Sequence, residues 1–78
     1  MKIVWDEPKR RANLAKHGLD FEDVAFFEWE NARISPARGS RQKAVGLFEG
    51  RTAVVIFSLL GSEAISIVSF RLANRRER

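Results

Sequence analysis

The C-terminal stretch of the chain has an acid, Glu63, at its start and a cluster of four arginines beyond it: Arg71, Arg75, Arg76 and Arg78. Residues Glu63 to Phe70 interleave apolar, mostly β-branched side chains with Glu63, Ser66 and Ser69, which suits a half-buried β-strand. Guanidinium forks bind phosphate oxygens in a bidentate manner, so Arg71 at the end of this strand and Arg75 just beyond it are candidate ligands of a phosphodiester. Glu63 is a candidate proton acceptor or an orienter of an arginine. Arg38, Arg41, Lys43 and Arg76 extend the set as candidate nucleic-acid contacts. Strand alternation puts Glu63, Ile65, Ile67, Ser69 and Arg71 on one face. At about 3.3 Å per residue, Glu63 and Arg71 then lie roughly 26 Å apart, too far for one phosphate to touch both.

Each of these residues also has a plainer explanation. Glu63 suits a solvated hairpin residue, Arg71 an ion pair with Glu7 or Asp23, and Arg75 an exposed helix position. Arginine gives up its proton poorly, so none of the four is a convincing general acid. His17 is the single histidine. It could serve as that acid, but before Gly18 at a helix end its more common work is to cap carbonyls and favour the helix dipole. Trp5, Phe21, Phe26, Phe27 and Trp29 can stack on bases, but a chain this small needs its aromatics in the core. Phe26 and Trp29 fall off the main apolar stripe and are the candidates for a partner surface.

The elements that must position these groups are legible from punctuation and periodicity. Lys2–Trp5 is a short first strand. Asp6 caps a helix over Glu7–His17, Pro8 fits its first turn, and Gly18 suits the left-handed residue after it. Ala12, Leu14 and Ala15 form its weak apolar face, while Lys9, Arg10, Arg11 and Lys16 are expected in solvent. Asp20 caps a second helix reaching about Trp29, with Asp23 completing a capping box and Leu19 and Val24 a staple. Four further strands follow: Ala32–Ser35 before Pro36, Gln42–Phe48, Arg51–Leu59 after the Glu49-Gly50 turn, and Glu63–Phe70. Asn74-Arg75-Arg76-Glu77 opens a last helical turn. The expected fold class is α+β, with two N-terminal helices packed on a twisted, mainly antiparallel β-sheet in one domain over residues 1–78.

Composition narrows the function classes. The chain has 78 residues, 14 Lys and Arg against 10 Asp and Glu, a net charge of +4 and no cysteine. The absence of cysteine excludes disulfides, thiolate metal sites and cysteine nucleophiles, and one histidine excludes a His-rich metal site. No cofactor is expected. No apolar run approaches a membrane span and no signal peptide opens the chain, so no membrane partner is expected and the cytoplasm is the default compartment. The basic balance favours an anionic partner, nucleic acid first.

Val4-Trp5-Asp6-Glu7, Asn13, Lys16-His17-Gly18-Leu19-Asp20-Phe21, Gly50-Arg51, Val54-Val55, Glu63-Ala64-Ile65, Ile67-Val68-Ser69, Arg71, Ala73 and Arg75-Arg76-Glu77-Arg78 together resemble the BrnT toxins over essentially the whole chain. The resemblance implies a RelE-like fold and a ribonuclease toxin of a type II toxin–antitoxin system. It also implies neutralisation by BrnA, a ribbon-helix-helix antitoxin, with operator DNA contacted through that antitoxin. It carries the family's acid onto Glu63 and its two arginines onto Arg71 and Arg75, and it makes Phe26 and Trp29 candidates for the antitoxin interface. RNA supplies its own nucleophile, the 2′-hydroxyl, so cleavage without metal is the expected chemistry. Ser58-Leu59-Leu60 stands where many members carry an arginine. That departure supports an alternative: a weak or inactive relative that binds its antitoxin and co-represses the operon.

Overall fold

A computed structural model describes all residues, 1–78. The chain forms β1 (Lys2–Trp5), α1 (Glu7–His17), a 3₁₀ segment (Phe21–Phe26) and a 3₁₀ turn (Trp29–Asn31). It continues with β2 (Arg33–Pro36), β3 (Arg41–Phe48), β4 (Arg51–Leu60) and β5 (Ala64–Leu72). The strands make one five-stranded sheet in the order β1-β5-β4-β3-β2. Strands β2 to β5 pair antiparallel, and β1 lies parallel to β5 with Trp5 opposite Ile67. Glu49 and Gly50 both take positive φ, 51° and 78°, as a two-residue turn between right-twisted strands requires.

The local signals at α1 act as expected. The Asp6 side chain accepts from the Lys9 N–H, and Gly18, at φ 75°, closes the helix through its N–H to the Leu14 carbonyl. Arg10 then ties α1 to the following loop, with its guanidinium donating to both Asp20 oxygens and to Glu7. The packed face of α1 is not the expected one. Leu14 is 40% exposed, and the helix's buried residue is Asn13.

The expected second α-helix is instead the 3₁₀ segment, and the apolar spacing explains it. Phe21, Val24 and Phe27 are the buried residues of this stretch. They sit three apart, and a helix of three residues per turn stacks them on one side. The Asp20 side chain accepts from the Glu22 N–H, not from Asp23, which starts a tighter turn than a capping box would. Ala25 and Glu28, which a helix of 3.6 residues per turn would set on one stripe with Phe21 and Val24, are exposed.

Even-numbered residues of β3 and odd-numbered ones of β4 face this layer. Ala44, Phe48, Ala53, Val55, Phe57, Ile65, Ile67 and Phe70 pack against Leu19, Phe21, Val24 and Phe27. At Gly46 the sheet and the 3₁₀ layer approach so closely that a Cβ would stand 2.9 Å from Phe27 Cζ. The opposite, outer face of the sheet carries Arg33 and Ser35 (β2), Lys43 (β3) and Ile56 (β4) in register.

A slip in β5 decides what that outer face presents. Ile67 pairs with Phe57 and Ser69 with Ile56, so Val68 has no partner on β4. The extra residue exchanges the two faces: the inward series is Ile65, Ile67 and then Phe70. The expected common face for Glu63 and Arg71 is therefore wrong. Arg71 follows inward Phe70 and projects to the outer side, opposite Val54.

Candidate functional site

The geometry begins where β1 ends. β1 covers the edge of β5 only as far as Ile67. Beyond that point α1 takes over, and Asn13 acts as a one-residue substitute for a strand. Its amide donates to the Phe70 carbonyl at 2.7 Å and to the Leu19 carbonyl at 3.0 Å, and its oxygen accepts from the Phe70 N–H at 3.2 Å. These bonds fix how α1 lies against the sheet, and so what its next residues can reach.

Beside this anchor a cavity of about 370 Å³ opens, lined by Lys9, Lys16 and His17 of α1, Arg41 of β3 and Ser69 of β5. Its size suits a small ligand or one unit of a larger one. No carboxylate lines it. Lys9, Asn13, Lys16 and His17 follow at i, i+4, i+7 and i+8, one face of a helix. That stripe is visible in the sequence, but it is polar, and a search for apolar faces passes over it. His17 was expected to cap the end of α1. Instead the half-buried ring makes no hydrogen bond, and the Gly18 N–H does the closing. Burial lowers the His17 pKa from its ordinary value, and the neighbouring charges of Lys16 and Arg71 lower it further. The imidazole is therefore neutral at pH 7.

Arg71 stands next to this cavity, engaged by an acid that sequence reasoning did not assign. Asn74 and Glu77 form a reciprocal capping box: the Asn74 N–H donates to Glu77, and the Glu77 N–H donates to the Asn74 side chain. The same Glu77 carboxylate receives both Arg71 nitrogens at 2.7 and 2.8 Å, and Lys43 Nζ at 2.6 Å. The Glu77 side chain is only 8% exposed. Hydrogen bonds from Arg71 hold its carboxyl well below the usual carboxylate range against the opposing effect of burial, and those from Lys43 and the Asn74 N–H add to this. Neither Glu7 nor Asp23 is the partner of Arg71; Glu7 pairs with Arg10.

The other expected residues fall as follows. Arg41 lines the cavity and Lys43 lies on the same outer face, whereas Arg38 is exposed in the β2–β3 turn. Arg75 and Arg76 are exposed in the last turn, and Arg76 borders a surface hollow with Arg33, Lys43 and Glu77. Glu63 lies in the β4–β5 turn with its side chain in solvent, at the far end of β5 from Arg71. The structure thus brings Arg71, Lys43 and Arg41 to one face and leaves Glu63 away from them. Phe26 is 74% exposed, as a partner surface requires. Trp29 turns inward: its ring meets Phe27 and Phe57 edge-on, and its N–H donates to the Val24 carbonyl. Trp5 also packs edge-on against Phe21.

The outer face presents concentrated positive charge, a neutral imidazole and one carboxylate that holds two of the cations. Such a face attracts anions. The family model described as "Ribonuclease toxin, BrnT, of type II toxin-antitoxin system" matches residues 5–77. The crystal structure of the Brucella abortus ribonuclease toxin BrnT is 47% identical in sequence and superposes with a TM-score of 0.85, covering 96% of this chain and 99% of that one. Among curated proteins no relative matches significantly.

Proposed function

Because the chain belongs to the family of BrnT ribonuclease toxins of type II toxin–antitoxin systems, we propose that it cleaves RNA on its outer sheet face, through the 2′-hydroxyl and without a metal. The observation that carries this reading is the cavity of Lys9, Lys16, His17 and Arg41. A phosphodiester entering it meets the cations Lys9, Lys16 and Arg41 and no carboxylate, and such cations stabilise the additional charge of a phosphorane. A divalent ion would find no carboxylate there to hold it. Arg71 and Lys43 extend the phosphate track along the sheet once Glu77 gives way. Arg75, Arg76 and Arg38 supply longer-range attraction from exposed positions. Glu63 lies too far along β5 to serve the same phosphate, about 26 Å from Arg71 on an extended strand.

The proposal includes the resemblance to RelE toxins, a single toxin domain over residues 1–78 and a cytoplasmic setting; no helix is long and apolar enough to cross a membrane. It also includes a BrnA-type ribbon-helix-helix antitoxin, through which operator DNA is contacted. Phe26 is the anchor for that antitoxin, since a solvent-facing phenyl ring otherwise gains nothing from its position. Phe26→Ala should weaken antitoxin binding about thirtyfold, the loss of an aromatic hot spot. Calorimetric titration of toxin with antitoxin checks this, and unchanged affinity would remove Phe26 from the interface.

One observation favours a second reading, a weak or inactive relative that acts as an antitoxin-binding module and operon co-repressor: Glu77 already occupies the Arg71 fork. One experiment separates the two. The purified chain, free of partner, is incubated with a structured RNA in EDTA. The nuclease reading expects cleavage that leaves 2′,3′-cyclic phosphate ends. Intact RNA together with tight antitoxin binding would establish the binding module instead.

A further inference from the structure

We infer that the cavity beside α1 holds the scissile phosphate and that the His17 imidazole takes the 2′-hydroxyl proton, an assignment that deepens the ribonuclease reading and rests on it. Three features of the site lead there. His17 is the one cavity-lining residue of a type whose ordinary pKa lies near neutrality. Its ring is half-buried yet makes no hydrogen bond, so both nitrogens are unclaimed by the fold. And the carboxylate assigned to proton transfer by sequence, Glu63, is at the other end of β5.

The charges around the ring suit a base. Lys9 and Lys16 face it from α1, Arg41 from β3, and Arg71 approaches from β5. Burial first, and then the charges of Lys16 and Arg71, lower the pKa of the free imidazole and leave it able to accept a proton. When a phosphodiester binds among them it offsets their charge, and the cost of forming an imidazolium falls. The reaction then balances with groups on hand. The 2′-O–H proton passes to His17, O2′ bonds to phosphorus, and the P–O5′ bond breaks. The departing O5′ takes a proton from water, and His17 returns its own to solvent. The products are a 2′,3′-cyclic phosphate and a 5′-hydroxyl. Lys9, Lys16 and Arg41 hold the non-bridging oxygens as they gain charge.

The test uses the complete chain with two readouts. In RNA cleavage, His17→Gln keeps the size and polarity of the side chain and should lower kcat/KM by about 10²–10⁴-fold, the usual worth of a positioned base. In the wild type kcat/KM should fall with acid below the ordinary histidine value of 6.5, and the variant should lose that acid limb. Activity of His17→Gln within about threefold of wild type, with the limb intact, would overturn the assignment. In the second readout inorganic phosphate is titrated while the His17 ring protons are followed by NMR. A saturating shift, with the ring pKa raised by phosphate and the effect weakened in Arg41→Gln, is expected. Ring signals that phosphate leaves unmoved would overturn the pocket. If the wild-type chain cleaves no RNA, the ribonuclease reading is what has failed, and the phosphate titration still decides the pocket.

Discussion

Replacing Asn13 by Ala is expected to cost about 3–5 kcal/mol, because it strands several buried polar groups at once. The Phe70 N–H, the Phe70 carbonyl and the Leu19 carbonyl all take this side chain as partner. Each buried group left without a partner costs about 1–3 kcal/mol. Water can relieve part of that at the rim of the neighbouring cavity. For a chain of 78 residues the whole stability is about 4–12 kcal/mol, so the variant should lose a large share of it and unfold at a much lower urea concentration. Asn13→Asp should also be poor, since a carboxylate keeps the acceptor and loses both donors. Leu14→Ala, one residue along and exposed, should stay within about 0.5 kcal/mol of wild type. Urea unfolding of the three variants checks the set. An Asn13→Ala midpoint equal to that of Leu14→Ala would show that α1 docks by some other means.

That prediction lies outside what the sequence shows, and the reason is physical. Asn13 and Phe70 are 57 positions apart, and an asparagine in a helix reads as a solvated residue until its acceptor is known. Local structure was legible. Asp6, Pro8 and Gly18 marked both ends of α1, and alternation marked β3, β4 and β5 to within a residue or two. The meander followed from its turns. Three things were not legible. The placement of β1 against β5 depends on a parallel pairing that no turn dictates. The 3₁₀ segment depends on reading Phe21, Val24 and Phe27 with a period of three, where a helix of period 3.6 was assumed. The extra residue at Val68 shows only as two adjacent apolar residues, Ile67 and Val68, between Ser66 and Ser69, a phase break that an unbroken alternation ignores, yet it moves Arg71 to the outer face beside the candidate site.

The site itself was half visible. Arg41, Lys43 and Arg71 were singled out for charge, and they share the outer face. Lys9 and Lys16 suit helix surface and His17 a C-terminal cap, because nothing in α1 says which polar side meets the sheet. Glu77 was visible as the acid of an Asn74-x-x-Glu77 capping box. Its second role requires β3 and β5 to flank β4, a matter of topology. The outcome is a carboxylate placed where an RNA phosphate would lie, bridging Lys43 and Arg71 across β4 beside fully buried Val54.

Glu77→Ala should therefore lower stability and raise anion affinity together, a combination that an ordinary surface ion pair would not give. The Arg71 and Lys43 side chains are 26% and 29% exposed, partly withdrawn from water. Loss of their shared partner and of the capping box should cost about 2–3 kcal/mol at neutral pH. The pH dependence has a definite sign. A carboxyl whose folded pKa lies below its ordinary 4.5 contributes stability that is complete above that value and is lost as pH falls below it. The difference between wild type and Glu77→Ala should accordingly be greatest at neutral pH and shrink steadily below pH 4.5. Glu7 and Asp20, also lowered, give both proteins a common acid loss that does not affect the difference. On the binding side, two released cations can each meet a phosphate. The slope of log affinity for single-stranded RNA against log salt should steepen by about 1.4, at roughly 0.7 per contact. Fluorescence anisotropy across a salt series measures it. An unchanged slope alongside the expected loss of stability would make Glu77 a structural clasp only, and would place the RNA path away from Arg71 and Lys43, within the cavity beside α1.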